Sequence, residues 1–320
     1  MKALRHTVKL LLPLLACMLF ACSSGPEEKP VSESFSSPAR LLDQGISQYN
    51  INNYSEAIDQ FEKALLQYRS IDNQAGIANS CLNLAKTHMA INHNQLAAEY
   101  LLRANTVIEQ ASLAELDGYL FLLRSSLAIN TDMYDQAIQD LDKVIDDKDP
   151  AIELAAVMNR TKIAFLRNDS DKLQWLEKYK TLQSRHPDKR SHAARILRFQ
   201  AQAGDDPDEK KTLLAQSLAI SHELANRTAI AATLTQWADL EQAEKQFEAA
   251  EDKYLRALFI RHQLGDVKNT LAILNQLHSV YKETNPKQAA KLSRWIETLE
   301  NNDLSGWNKL IMDLDNYPGY

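Results

Sequence analysis

Small residues recur along this chain at a step of forty. Ala57, Ala97 and Ala137 are 40 apart, and each opens the triplets Ala57/Phe61/Ala64, Ala97/Leu101/Ala104 and Ala137/Leu141/Val144. Ala250/Tyr254/Ala257 restores the beat after a degenerate middle. Spacings of four and three place each triplet on one helical face, where small side chains let a neighbouring helix approach closely. A second small residue stands twelve positions earlier in each unit: Gly45, Ala85, Ser125 and Ala238. Twelve residues make about three and a third helical turns, so both small residues face one helix crossing. Polar breaks fall at Asn52-Asn53, Asn92-His93-Asn94 and Asn130-Thr131-Asp132, residue types that tolerate turns and cap helices. The pattern predicts an all-α chain of stacked helix-turn-helix units, since a fixed period of this size marks a helical solenoid.

The second half carries the same period in other residues. Ser217 to Leu224 aligns with Ala257 to Leu264, and Leu234, Trp237 and Leu240 recur as Leu274, Leu277 and Val280. Residues 151–186 keep two amphipathic helices with Leu173, Leu176 and Tyr179 in place of the alanine signature. His186-Pro187-Asp188 is a break at which the array is expected to bend. Seven helical pairs fit between residues 39 and 300. A further helix over Asp303 to Leu314, with Leu304, Trp307, Ile311 and Leu314 on one face, is expected to shield the open end of the array. A docking helix for a partner is the alternative for that segment.

The first unit reads Leu41-Leu42, Gly45, Tyr49, Asn53-Tyr54-Ser55-Glu56-Ala57-Ile58 and Phe61-Glu62-Lys63-Ala64-Leu65. It resembles the tetratricopeptide (TPR) repeat, with a small residue near position 8, tyrosines near 11 and 17, then alanine, an aromatic and alanine. The 40-residue unit is longer than the family's commonest one and fits its variants with longer helices. The resemblance covers residues 39–300. It implies a right-handed superhelical TPR solenoid with a C-terminal capping helix, and protein binding in its concave groove.

Composition and charge narrow the picture further. Hydrophobic residues make up 45% of the chain and glycines number only eight, which suits a long helical body and not a sheet with tight turns. At the N-terminus, Lys2, Arg5 and Lys9 precede an apolar run from Leu10 to Ala21, too short to span a bilayer. It ends in Leu19-Phe20-Ala21-Cys22 followed by Ser23-Ser24-Gly25-Pro26. This resembles the lipobox of bacterial lipoproteins, with Phe20 bulkier than usual at its position. Leu14-Leu15-Ala16-Cys17 fits too, but would leave a stunted apolar run. The resemblance implies a lipid on Cys22, and two or three acyl chains at roughly 0.8 kcal/mol per buried methylene give a lasting anchor. A plain signal peptide cut after Ala21 is the alternative. Ser23, where an aspartate would retain the protein at the inner membrane, points to the outer membrane facing the periplasm of a Gram-negative cell. Residues 22–38, rich in Ser, Pro and Glu, read as a tether spanning about 20–25 Å.

Loss of residues 1–21 removes three basic side chains and no acidic one, moving the formal charge from −6 to −9. An acidic chain without a basic stripe argues against nucleic acid as a partner. Cys81 is then the remaining thiol, and its apolar neighbours Leu82, Leu84 and Ala85 mark it as a core residue. No glycine-rich phosphate loop, zinc spacing or calcium loop occurs; His88 and His93 read as solvated residues on different sides of a helix end. No catalytic residue, metal or cofactor is expected, and no small-molecule substrate.

What remains is the concave face. The groove positions that the resemblance assigns are Leu42, Ile46 and Tyr49 in the first unit. They are Asn79, Leu82, Lys86 and Met89 in the second, and Tyr119, Leu122, Ser126 and Ile129 in the third. Leu42 and Ile46 stand where carboxylate-clamping members of the family carry Lys and Asn. The mixture of aliphatic, aromatic and amide groups suits an extended or helical peptide. The leading expectation is a lipid-anchored envelope adaptor or scaffold for a pilus, secretion or peptidoglycan-enzyme complex. A pilotin-like chaperone for an outer-membrane subunit is the alternative, and an enzyme the weakest reading.

Overall fold

The computed structural model describes residues 33–301 and 303–311. Cys22, its flanking signal and residues 22–32 of the expected tether lie outside the described residues, as do positions 312–320. Among the described residues there are fourteen α-helices and no strand. They are α1 (Glu33–Asn50), α2 (Tyr54–Ser70), α3 (Gln74–Ala90), α4 (Asn94–Ala111), α5 (Asp117–Asn130), α6 (Tyr134–Leu141) and α7 (Pro150–Arg167). The rest are α8 (Lys172–Ser184), α9 (Arg190–Ala203), α10 (Pro207–Glu223), α11 (Arg227–Ala243), α12 (Phe247–Gln263), α13 (Val267–Thr284) and α14 (Pro286–Glu300). Each odd-numbered helix packs on the even-numbered one that follows it, giving seven pairs, and each pair packs on the next.

The alanine beat is the contact between helices. Ala57, Ala85, Ala97, Ala137, Ala238 and Ala250 are all fully buried, as are Ala64, Ala104 and Ala257. Gly45 shows why the earlier small residue is needed, because a Cβ there would sit 2.5 Å from the ring of Phe61. Backbone turns are as regular as the core. Asn52, Asp72, Asn92, Ser112 and Asp132, at steps of twenty, close their helices with positive φ between 54° and 61°. Ala225, Lys245 and Gly265 resume the same step. One helix plus one turn is therefore a twenty-residue half-unit, and the forty-residue period is two of them. Tyr54 and Tyr134 each donate a hydroxyl hydrogen bond to the turn side chain two residues back, Asn52 and Asp132. Helix starts are capped in turn by Asn73, Asp149, Asp206, Asn226, Asp266 and Asn285, whose side chains accept a backbone N–H of the first turn.

Several expectations need correction. Helix α1 begins at Glu33, inside the stretch read as tether, and Pro38 is accommodated within it and buried. The expected helix over Asp303 to Leu314 is absent from its described part, which forms turns and a short 3-10 segment, Trp307–Lys309. Gly306 lies so close to Trp295 that a Cβ would sit 2.7 Å from the indole. The segment still closes the end of the array. Trp307 stacks on His262 with ring centroids 4.6 Å apart, its carbonyl lies 2.6 Å from His262 Nε2, and Leu310 is fully buried. In α8 the buried face is Leu176, Tyr179 and Leu182, whereas Leu173 is 53% exposed.

The break at His186-Pro187-Asp188 has a visible consequence. Odd-numbered helices lie against one another along the array, from α1 to α7 and again from α9 to α13, but the backbones of α7 and α9 do not approach as closely. Phe165 and Phe199 fill that junction, ring to ring at 4.8 Å. The chain also returns on itself. Asn92, in the turn after α3, donates to Asp266 at the start of α13 over 2.8 Å. Lys268 reaches the turn after α5, with 2.9 Å to the Asn130 carbonyl and 3.2 Å to Asp132.

Candidate binding groove

The faces of the odd-numbered helices hold the candidate groove. On α1, Ile46 is 38% exposed, while Leu42 and Tyr49 are half-buried against the N-terminal core. Tyr49 meets Tyr54 with ring centroids 5.5 Å apart, and the Lys86 ammonium on α3 lies 4.4 Å from its ring centre. Such a cation over a tyrosine face is held by the ring quadrupole. Burial raises the Tyr49 phenol, helped by Tyr54 and Tyr119, and pushes Tyr119 on α5 up to about 12. Burial likewise lowers the Lys86 amine. Asn79 is half-buried with its amide on the Ala75 carbonyl, Leu122 is half-buried, and Ser126 accepts from Asn159 of α7 at 3.0 Å.

Three of the expected groove residues belong to the core instead. Leu82 is fully buried, and Met89 and Ile129 are 7% and 4% exposed. Leu82 and Met89 pack in the N-terminal core and Ile129 in the cluster with Ala137 and Leu141, so none of them faces solvent. His88 is corrected too: it is 6% exposed and stacked on Tyr100 at 5.5 Å, with the exposed His93 ring 5.9 Å away. Burial, then His93, lowers its pKa. Cys81 is fully buried, and burial raises its thiol, in keeping with a core role.

A cluster of cations lies further along, in pairs whose repeat signature is faint. Lys162 on α7 and Arg195 and Arg198 on α9 are half-buried, and none of them forms an ion pair among the described residues. Arg195 reaches only the Met158 sulfur at 3.3 Å, and Arg198 the Thr233 hydroxyl at 3.5 Å. Burial, followed by Arg195, Lys268 and Arg261, brings the Lys162 amine down to about 8. Burial and Arg195 also lower Arg198, and burial, then Arg195, brings His192 down to about 4. Next to this cluster a cavity of about 540 Å³ opens between α9 and α13, bounded in part by Thr235, Gln236, Arg261 and Asn269. Gln236 donates to the Arg198 carbonyl at 2.8 Å, which joins the cavity wall to the cluster.

Groove positions projected from the first three units could not reach these cations. One forty-residue step from Leu122 reaches Lys162, but Arg195 and Arg198 follow Lys162 by 33 and 36 residues and fall off that period. Among the described residues no cluster of His, Cys, Asp or Glu could hold a metal ion, and no helix is long and apolar enough to cross a membrane. No protein-family model and no curated protein matches the chain.

Proposed function

We propose that this chain is a lipid-anchored adaptor of the cell envelope, built as a right-handed TPR superhelix that binds a protein segment in its concave groove. The observation that carries the reading is the side-by-side packing of α1, α3 and α5. On these helices Ile46, Tyr49, Lys86, Tyr119, Leu122 and Ser126 come from three successive pairs. Aromatic, aliphatic and polar groups on one concave strip can hold an extended or helical peptide through a few anchors. The contacts from Asn92 and Asn130 to the start of α13 support a curved array, since a straight stack would keep its second and seventh pairs apart. A lipid on Cys22, at the periplasmic face of the outer membrane, would concentrate the bound partner there.

The test has two arms. Labelled fatty acid is expected to enter the wild type and not Cys22→Ala; equal labelling of both refutes the anchor. For the groove, Tyr49→Ala with Tyr119→Ala is expected to abolish partner capture from envelope extract, since losing an aromatic anchor commonly costs about 2 kcal/mol or more. Both rings are half-buried, so helicity is checked alongside, and the paired phenylalanine variants keep the packing. Undiminished capture by a folded double alanine variant would place binding elsewhere.

A further inference from the structure

The cations of the middle pairs have no stated role in holding the fold. Lys162, Arg195 and Arg198 come from consecutive odd-numbered helices and converge on the groove without a carboxylate partner. The carboxylates that could serve them are engaged: Asp266 holds Arg261 at 2.9 Å, and Asp132 holds Lys268. Asp169 and Asp171 face Arg160. Withdrawing a cation from water without a counter-charge is costly, and like charges drawn together add to that cost. The depressed pKa of Lys162 reports the same strain. A chain with 42 acidic and 36 basic side chains thus keeps unpaired positive charge in its interior face.

We infer that this stretch of the groove receives an acidic peptide segment of the partner, whose spaced carboxylates pair with Lys162, Arg195 and Arg198. The inference rests on the groove reading above and adds the partner's chemistry to it. A peptide with several carboxylates can pair with each of the three cations, which come from two helix pairs. Beyond them the cavity wall offers the amides of Gln236 and Asn269 and the Thr235 hydroxyl, which suit a peptide backbone, beside Lys210, Arg261 and Asp239, whose carboxylate accepts the Tyr254 hydroxyl. Arg195 and Arg198 supply fork-shaped donors that carboxylates accept in pairs.

The experiment is fluorescence anisotropy with the purified chain and two labelled peptides, one alternating glutamate with leucine, the other glutamine with leucine. The glutamate peptide is expected to bind about tenfold or more tightly, with the preference shrinking as salt is raised. Lys162→Gln with Arg195→Gln is expected to erase the preference without lowering Tm, because it relieves repulsion. Arg195→Lys, which keeps the charge, is expected to retain most of it. Equal affinity for the two peptides, no binding of either, or an unchanged preference in the double variant would overturn the inference. So would displacement of the peptide by inorganic phosphate below millimolar concentration, which would make the cluster a small-anion site. If Tyr49→Ala with Tyr119→Ala abolishes partner capture while the charge variants leave it intact, the groove reading stands and the acidic partner alone fails. If neither set affects capture, both fail.

Discussion

At the scale of single residues, the fold depends on small side chains at helix crossings and on left-handed residues at helix ends. The first were legible because an alanine that recurs every forty positions marks a helix crossing repeated at that step, and Ala57, Ala97, Ala137 and Ala250 are fully buried. The second were legible at Asn52, Asn92 and Asp132, whose residue types favour that conformation, and hidden at Ala225 and Lys245, whose types do not. Those two positions carry strain of about 1–2 kcal/mol each, because Cβ crowds the following carbonyl at positive φ. Ala225→Gly and Lys245→Gly are therefore expected to stabilise the chain, by about 0.5–1 kcal/mol each once the added freedom of the unfolded glycine is counted. Chemical denaturation checks this, and a loss of stability in either variant contradicts the turn geometry. Lys162, Arg195 and Arg198 were hidden for a different reason. A cation has no helical signature of its own, and only the fold brings the three near one another.

Each element is held mainly by its sequence neighbours. Trp in place of Ala97 on α4 or Ala250 on α12 overfills a crossing that has no free space and is expected to destabilise by about 1–3 kcal/mol. Because coupling in a repeat array passes from neighbour to neighbour, hydrogen exchange should quicken around the substituted pair and remain slow in distant ones. Uniform loss of protection would instead mean that the described helices unfold as one unit. Element boundaries were less legible than element identity. Pairs with the alanine signature follow their sequence pattern closely, whereas the spacing in α8 suggests a face that includes the exposed Leu173. The spacing of Leu304, Trp307 and Ile311 likewise predicts a helix for the end cap. That helix is absent from the described residues, yet Trp307 and Leu310 still cover the last pair, with Gly306 packed against Trp295.

Across the whole molecule, the least foreseeable feature is the closure between the second and seventh pairs, since no periodicity encodes a contact 174 residues apart. Asp266 is its centre. It is 6% exposed, caps α13 through Asn269, pairs with Arg261 and accepts the amide of Asn92. Asp266→Ala leaves the buried Arg261 cation without its partner and is expected to cost about 3–5 kcal/mol. Asn92→Ala removes the cross-array bond alone and is expected to cost about 1 kcal/mol. If both variants melt like the wild type, the closure contributes nothing to stability. The proposed groove is a property of this same scale, because its strip of Ile46, Lys86, Leu122 and Lys162 exists only when α1, α3, α5 and α7 stand side by side. The measurement that tests this most directly is site-specific photocrosslinking of the full chain in its native cell. A photoreactive side chain replaces Ile46 on α1 or, as the contrast, Leu66 on α2, which is 65% exposed and equally apolar. Crosslinking of a discrete partner from Ile46 and not from Leu66 is the expected result, and a partner captured from Leu66 alone would contradict the assignment of the groove as the working surface.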